Sequence, residues 1–219
     1  MNVLPCRLME ILTALVFLIG VSGCGAQRMS PVDPRTTGAL TPQIEDADGG
    51  LVGLASGFTP ASYETVVVQP FKVEQREIKD DEDARRAKDM VAYVQAQLVR
   101  KLRIAGIFPT IVDGATATPP TGPRVLLVQG EITRLTEGSQ ALRYFVGFGA
   151  GAAKTQIETR VVDVSTGQVQ LVTADRRAAG MGIFGGDGRQ FVTESLDQIT
   201  DGFVKLLRHL AAGGRPGPR

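Results

Sequence analysis

Few residues in this sequence can do covalent or acid–base chemistry. The 219 residues include two cysteines, Cys6 and Cys24, and one histidine, His209. Because both cysteines precede residue 25, the rest of the chain has no thiol for a nucleophile, a disulfide or a metal cluster. A lone histidine near the end of a helix is more typical of a capping or surface residue than of a general base. These residue types predict no catalytic residue, no metal and no cofactor.

Four carboxylates could in principle form a catalytic pair: Glu131, Glu137, Asp163 and Asp187. General acid–base catalysis needs two such groups held together with pKa values driven apart, and no spacing in the sequence brings two of them together. We therefore interpret all four carboxylates as solvated side chains. An enzyme is therefore the least favoured class of function, and only a turnover lost on changing Glu131 or Asp163 would restore it.

The glycine-rich segment over residues 147–155 superficially suggests a phosphate-binding loop. A Walker A loop needs glycine both six residues and one residue before its lysine, but Phe148 and Ala153 hold those positions before Lys154. The spacing of a dinucleotide fingerprint is met, yet a strand is predicted to follow where that motif requires a helix. The segment therefore predicts close backbone packing or a bulge before a strand, not a nucleotide site.

The residues before Cys24 have the pattern of a secretion signal. An apolar run over residues 11–21 follows Arg7, and Ser22 and Gly23 are small enough for a peptidase to reach the bond before Cys24. This spacing resembles the bacterial lipoprotein signal, which implies cleavage between Gly23 and Cys24 and acylation of the Cys24 thiol and amine. Several acyl chains anchor a protein stably in a membrane. The alternative, an uncleaved membrane helix, has a run well short of the ~20 residues that a span requires.

The residue after the cysteine indicates the destination. Gly25 stands where an aspartate retains enterobacterial lipoproteins at the inner membrane. The resemblance therefore implies the outer membrane, on its periplasmic face.

Twenty-four basic and 23 acidic residues leave a net charge of +1, without the basic excess that nucleic-acid binding normally requires. The expected partners are the membrane, through the acyl chains on Cys24, and an envelope protein or further copies of this chain.

Composition divides the chain into four parts. Residues 1–23 are the signal peptide, and residues 24–60, rich in Gly, Pro, Thr and Asp, are predicted to be a flexible tether. Residues 61–212 form a single α/β domain, and residues 213–219 a disordered tail. Because the leader and tether are expected to add nothing to the core, this division predicts that a chain from residue 61 onward folds alone.

Hydrophobic periodicity predicts the elements of that domain. A β-branched run begins at residue 65, amphipathic helices cover 83–105 and 190–212, and strands are expected at 107–112, 124–135, 154–164 and 168–174. The last two strands form a hairpin in which Gly167 takes the left-handed turn position. The order β-α-β-β-β-β-α predicts an α+β two-layer sandwich, in which two long helices cover one face of a mostly antiparallel or mixed sheet.

Two glycine-rich segments carry large apolar residues. Tyr144, Phe145 and Phe148 lie in the first, and Ile183 and Phe184 lie in the second. Apolar side chains on flexible segments are typical of surfaces that contact a membrane or a partner. We interpret these five residues as a possible interaction loop.

The motifs VVVQPF, LRIAGIF and the stretch from VQGEITRL to VVDVSTGQV together resemble a family of proteobacterial lipoproteins with one domain of unknown function. The element order is also similar, more remotely, to the periplasmic domain of the curli-secretion lipoproteins. These resemblances imply the fold and the cellular location of the protein, and they imply no activity. The favoured function is a non-catalytic binding or assembly module of the cell envelope. The alternative is a subunit of an outer-membrane secretion or assembly complex.

Overall fold

The computed structural model describes residues 26–118, 120–136, 153–179 and 188–218. The cleavage and lipidation residues Gly23 and Cys24 lie outside this range, as do the five predicted interaction-loop residues. The described elements, in chain order, are β1 (Ala26–Met29), β2 (Ile44–Asp46), β3 (Gly50–Leu54), β4 (Thr65–Val68), β5 (Lys72–Val73), α1 (Asp81–Ala105), β6 (Thr110–Asp113), β7 (Val125–Thr136), β8 (Lys154–Asp163), β9 (Val169–Ala179) and α2 (Gly188–Ala211).

The described strands form one mixed sheet. Its order is β2-β3-β9-β8-β7-β4-β6, with β1 paired to β9 and the two-residue β5 paired to β7. Strand β4 runs parallel to β6 and β7, because α1 carries the chain across one face between them, whereas β7, β8 and β9 form an antiparallel meander. Both helices pack against this sheet and against each other. The predicted α+β class is confirmed, and so is the element order from residue 61 apart from the additional two-residue strand β5.

Helix α1 begins two residues before its predicted start because of its cap. The Asp80 carboxylate accepts hydrogen bonds from the backbone N–H groups of Glu82 and Asp83, at 2.9 and 2.8 Å. Three acidic residues in the first turn are stabilised by the positive end of the helix dipole. Gly106, at φ 63°, ends the helix in the left-handed conformation.

The hydrophobic core lies between the helices and the sheet. Strand β8 alternates: Ile157 and Val161 face the core, while Arg160 is exposed on the other side. Each fully buried leucine or isoleucine contributes about 1.5–3 kcal/mol relative to an exposed one. The largest fully buried apolar side chains are Leu98, Leu102, Leu126, Ile132, Ile157, Leu171, Leu196, Leu206 and Leu207. No helix in the described ranges is long and apolar enough to cross a membrane.

The prediction of a flexible tether over residues 24–60 is wrong for the described residues from 26 onward. Strand β1 pairs with Arg176–Ala179 of β9, and β3 pairs with residues 171–174 of the same strand. Val52 is fully buried in the core, which also includes Phe58. The segment that was interpreted as a linker therefore completes one edge of the sheet.

Residues 30–43, which we call the strap, cross the sheet face opposite the helices. The side-chain amide of Gln156 accepts from the backbone N–H of Val32 at 2.9 Å and donates to its carbonyl at 3.0 Å. Glu158 accepts from the backbone N–H of Arg35 at 3.1 Å. Because these partners lie more than 120 residues away in sequence, no local pattern in the strap reveals them.

A buried ion cluster holds the N-terminal strands in place. The Arg28 guanidinium donates to both carboxylate oxygens of Asp175, at 3.2 and 3.0 Å, and to the backbone carbonyls of Asp46, Ala47 and Asp48. The Asp175 side chain is only 4% exposed and also pairs with Arg177 at 2.9 Å. One side chain therefore joins β1, the β2–β3 turn and β9.

The predicted disordered tail also has contacts. The Gly217 N–H donates to the Asp46 carboxylate at 3.0 Å, and the Gly217 carbonyl accepts from Ala47 N–H at 3.2 Å. The His209 ring hydrogen-bonds the Arg215 carbonyl at 3.1 Å. The prediction is therefore wrong for residues 213–218, because the β2–β3 turn that receives this tail was not foreseen.

Candidate functional site

One row of paired residues marks the end of the sheet where several chain segments meet. Thr136 of β7 pairs with Lys154 of β8, Lys154 with Ala178 of β9, and Ala178 with Gln27 of β1. We call these four residues the end row. Segments 137–152 and 180–187, which carry the predicted interaction loop, join the described chain at or beside this row.

A cleft of about 380 Å³ opens at the same end, between the start of α1, the end of β7 and the start of α2. We call it the end cleft. Met90, Leu135 and Val192 form its apolar surface, and charged side chains form the rest. The lining residues are Glu77, Glu82, Asp83, Arg85, Arg86, Asp89, Met90, Leu135, Arg189 and Val192.

Ion pairs neutralise much of the charge in the end cleft. Arg86 pairs with Glu82 at 2.6 Å and with Asp83 at 3.4 Å, one helical turn away, and Arg189 of α2 lies 3.6 Å from Glu82. Glu77 accepts from Arg134 at 3.2 Å and from the backbone N–H of Leu135 at 3.0 Å. These contacts join α1 to α2, and the segment before α1 to β7, at the cleft.

The end cleft has the chemistry of a binding site. Arg85 and Asp89 form no ion pair with the part of the chain that the structure describes, so both are available to a polar ligand. Among the lining residues that the structure describes there is no Ser, Cys, His or Lys, and the groups that could attack a substrate are carboxylates. Within the described ranges no group of three or more His, Cys, Asp or Glu side chains could hold a metal ion. Paired charges beside an apolar floor can bind a polar segment of a peptide or a carbohydrate.

Glu131, one of the two carboxylates considered for catalysis, lies under the strap. It accepts from the Arg35 guanidinium at 2.6 Å, and Arg35 also pairs with Glu74 at 2.9 Å. Burial acts to lower the pKa of Arg35, but the negative charges of Glu131 and Glu74 outweigh it and raise that pKa. Glu131 therefore holds the strap on the sheet, and its neighbour across the ladder is Glu158.

Asp163, the second of these carboxylates, is the last residue of β8 and organises the β8–β9 turn. It accepts from the backbone N–H groups of Ser165 and Thr166, at 2.8 and 3.1 Å, and from the Tyr63 hydroxyl at 2.8 Å. Gly167 has φ 70°, as predicted for this turn. The structure does not bring Asp163 and Glu131 together. Glu137 and Asp187 lie outside the described residues.

The Tyr63–Asp163 contact shifts both pKa values. Partial burial acts to raise the pKa of Asp163, but hydrogen bonds from Ser165, Tyr63 and Thr166 hold it below its usual value. Burial, followed by the hydrogen bond to Asp163, raises the pKa of Tyr63 to about 12. The depressed carboxyl pKa contributes stability that is lost as pH falls through it. The raised phenol pKa contributes stability that is present below pH ~10 and lost as pH rises toward about 12.

We expect Tyr63→Phe to reduce the free energy of unfolding at pH 7 by about 1 kcal/mol, the typical net value of one hydrogen bond. Between pH 10 and about 12 the wild type should lose stability that the variant does not lose, because only the wild type has the Tyr63 phenol to ionise. Urea unfolding across this range measures both effects. Ser165→Ala is the matched control, since it removes another Asp163 hydrogen bond and leaves the phenol. Equal alkaline losses in Tyr63→Phe and wild type would contradict the assignment.

Sequence reasoning missed the end cleft. Arg85 and Arg86 alone are typical of an ordinary charged helix face, and nothing in the sequence places Arg189 beside α1. The one local signal of this cluster is that Arg86 follows Asp83 by three residues and Glu82 by four, which places both carboxylates within its reach on a helix. That spacing is equally typical of a solvated helix. The packing of α1, β7 and α2 around the cleft depends on the tertiary structure, and no local pattern in the sequence indicates it.

The fold resembles several solved bacterial structures at low sequence identity. Protein XCC0632 from Xanthomonas campestris, of the DUF330 family, is 10% identical and has a TM-score of 0.48, covering 73% of this chain and 92% of that chain. The PelC dodecamer from Paraburkholderia phytofirmans is 14% identical with a TM-score of 0.42, covering 69% of this chain and 94% of that chain. The hypothetical protein CT253 from Chlamydia trachomatis is 14% identical with a TM-score of 0.36, covering 68% and 94%.

Sequence comparison identifies the family. No curated protein matches the chain in sequence. The family described as a domain of unknown function, DUF4410, matches residues 66–182, which is more than half of the chain. This match confirms the resemblance to a family defined by a domain of unknown function. The chain belongs to the DUF4410 family.

Proposed function

We propose that this protein is a lipid-anchored module of the bacterial envelope, held at the periplasmic face of the outer membrane through acyl chains on Cys24. The observation that carries the proposal is the position of Ala26. It lies two residues after Cys24 and already pairs with Ala179 in the sheet. A chain cleaved between Gly23 and Cys24 therefore keeps every described strand.

The module binds a partner and does not catalyse a reaction. The end cleft supports this part of the proposal, because Arg85 and Asp89 offer charged groups beside an apolar surface, and the lining carboxylates Glu77, Glu82 and Asp83 are engaged in ion pairs. The predicted interaction loop, with Tyr144, Phe145 and Phe148, belongs to a segment that joins the described chain at the end row. We propose that an envelope protein or a cell-wall polymer binds in the end cleft, on the helix side of the sheet.

A second candidate is a subunit of a secretion or assembly complex, including a homo-oligomer. One observation favours it: β6 forms an edge of the sheet, with no strand beyond it among the described residues. An unpaired edge can accept a strand from another chain. The native mass of the protein in detergent separates the candidates, because a monomer supports the binding module and a defined oligomer supports the assembly subunit.

The anchor is tested by separating membranes from the soluble periplasmic fraction. We expect wild-type protein to sediment with outer membranes and Cys24→Ser to remain an uncleaved precursor, because the thiol that accepts the acyl chains is gone. Cys6→Ser is the matched control, since that cysteine lies in the leader and should not affect the result. A Cys24→Ser protein that is processed and fractionated like wild type would contradict the proposal.

A further inference from the structure

We infer that the end row lies directly against the membrane, and that Lys154 and Arg176 bind phosphates of anionic phospholipids there. The inference rests on the proposed anchor at Cys24 and adds the orientation of the domain and the membrane surface that it contacts.

The first step is the distance from the anchor to the fold. Ala26 is the second residue after Cys24, and an extended chain covers at most ~3.3–3.6 Å per residue. An acylated Cys24 therefore lies within about 7 Å of the backbone of Ala26, whose β-partner is Ala179. This length leaves no room for a spacer between the bilayer surface and the end of the sheet.

The second step is the direction of the strands. The β8–β9 hairpin runs from the end row, where Lys154 pairs with Ala178, to the turn near Gly167, where Val162 pairs with Val169. Eight to nine residues at ~3.3 Å each place that turn about 30 Å from the end row. With the anchor beside Ala26, the end row is the near end of the domain and the turn is the far end.

The third step is the charge at the near end. Lys154 and Arg176 lie on the sheet face that the strap crosses, and neither forms an ion pair with a carboxylate among the described residues. The Arg176 guanidinium donates to the Ser30 carbonyl at 3.2 Å, and its buried Nε has no partner. Met29, the β-partner of Arg176, is apolar and 44% exposed. Unpaired cations beside an exposed apolar side chain fit the interfacial region of a bilayer.

Among the described residues, the acidic groups at this end are either paired or on the helix side. Asp175 pairs with Arg28 and Arg177, and Glu77 pairs with Arg134. The acidic first turn of α1 lies across the sheet from the strap, where Glu82 pairs with Arg86 and Arg189. The charge distribution therefore tilts the strap side of the end row toward the lipid phosphates and turns the acidic start of α1 away from them.

The test uses the purified acylated protein in vesicles. The mature chain has no thiol apart from the acylated Cys24, so a single introduced cysteine can be labelled selectively. A fluorophore at Gln27→Cys reports on the end row, and one at Gln168→Cys reports on the far turn; both positions are exposed. Vesicles contain phosphatidylcholine with or without phosphatidylglycerol and a headgroup spin-label quencher, and iodide serves as the aqueous quencher.

We expect the label at position 27 to be quenched by the headgroup probe and protected from iodide, and the label at position 168 to show the reverse. Adding Lys154→Gln to Gln27→Cys should lower headgroup quenching at least about twofold in phosphatidylglycerol vesicles, with no change in pure phosphatidylcholine. Equal quenching at both labels in acylated protein would overturn the orientation and leave the anchor standing. Purified protein without acyl mass would instead refute the anchor. If Lys154→Gln has no effect in anionic vesicles, the proposed contact between Lys154 and lipid phosphates is refuted.

Discussion

A protein that begins at residue 61 is expected to lose more than about 5 kcal/mol of folding free energy and to be largely unfolded at 37 °C. The shortened chain lacks Val52 and Phe58, two core side chains worth about 1.5–3 kcal/mol each. It also lacks Arg28 and therefore leaves the buried Asp175 carboxylate with one of its two cationic partners. Since the free energy of unfolding of a domain of this size is only about 5–15 kcal/mol, this loss removes a large part of it.

Urea unfolding followed by circular dichroism measures this effect. The reference is a chain of residues 24–219 with Cys24→Ser, which has every described element and no anchor. A chain of residues 24–212 is the matched control for a terminal deletion. It loses the two hydrogen bonds of Gly217 to the β2–β3 turn, at about 1 kcal/mol each. If the chain from residue 61 unfolds at the same urea concentration as the reference, residues 26–60 are a tether after all.

Arg28→Ala is expected to destabilise the fold by about 3–5 kcal/mol, the usual cost of removing one partner of a buried ion pair. The substitution leaves Asp175, whose side chain is 4% exposed, with Arg177 alone, and it removes the donor for three backbone carbonyls. Gly202 of α2 adds to the constraint. A side chain at that position would collide with the carbonyl of Asp48, so the turn lies directly on the helix.

The matched control is Arg124→Ala. Arg124 forms an ion pair with Glu64 in which both side chains are 56% exposed, and exposed pairs are worth about 0–1 kcal/mol. Combining Arg28→Ala with Asp175→Ala should cost less than the sum of the two single changes, because the double variant leaves no buried carboxylate without Arg28. Strictly additive costs, or an Arg28→Ala cost as small as that of Arg124→Ala, would refute the role of the cluster.

The sequence predicted those elements whose signals are local. The apolar positions of α1 recur with helical spacing and Gly106 can end it, so the helix could be placed within two residues. The β8–β9 hairpin could be placed because Gly167 occupies the single turn position that needs positive φ. In both cases the deciding residues lie within one element or beside it.

The N-terminal strands could not be predicted, because their stability comes from distant residues. Strands β1, β2 and β3 have four, three and five residues, too short for a periodic signal. The strap has the composition of a linker, and its partners Gln156 and Glu158 lie in β8. The end cleft was missed for the same reason, since Glu77, Arg85 and Arg189 come from separate segments.

The central claim is that Cys24 carries the acyl chains that hold this domain at the membrane, and intact mass spectrometry tests it most directly. Wild-type protein purified from bacterial membranes should have the mass of a chain beginning at Cys24 plus acyl groups. Cys24→Ser, measured beside it, should have the mass of the unmodified precursor. A wild-type mass that retains residues 1–23 and has no added acyl groups would contradict the account, and with it the proposed address and orientation.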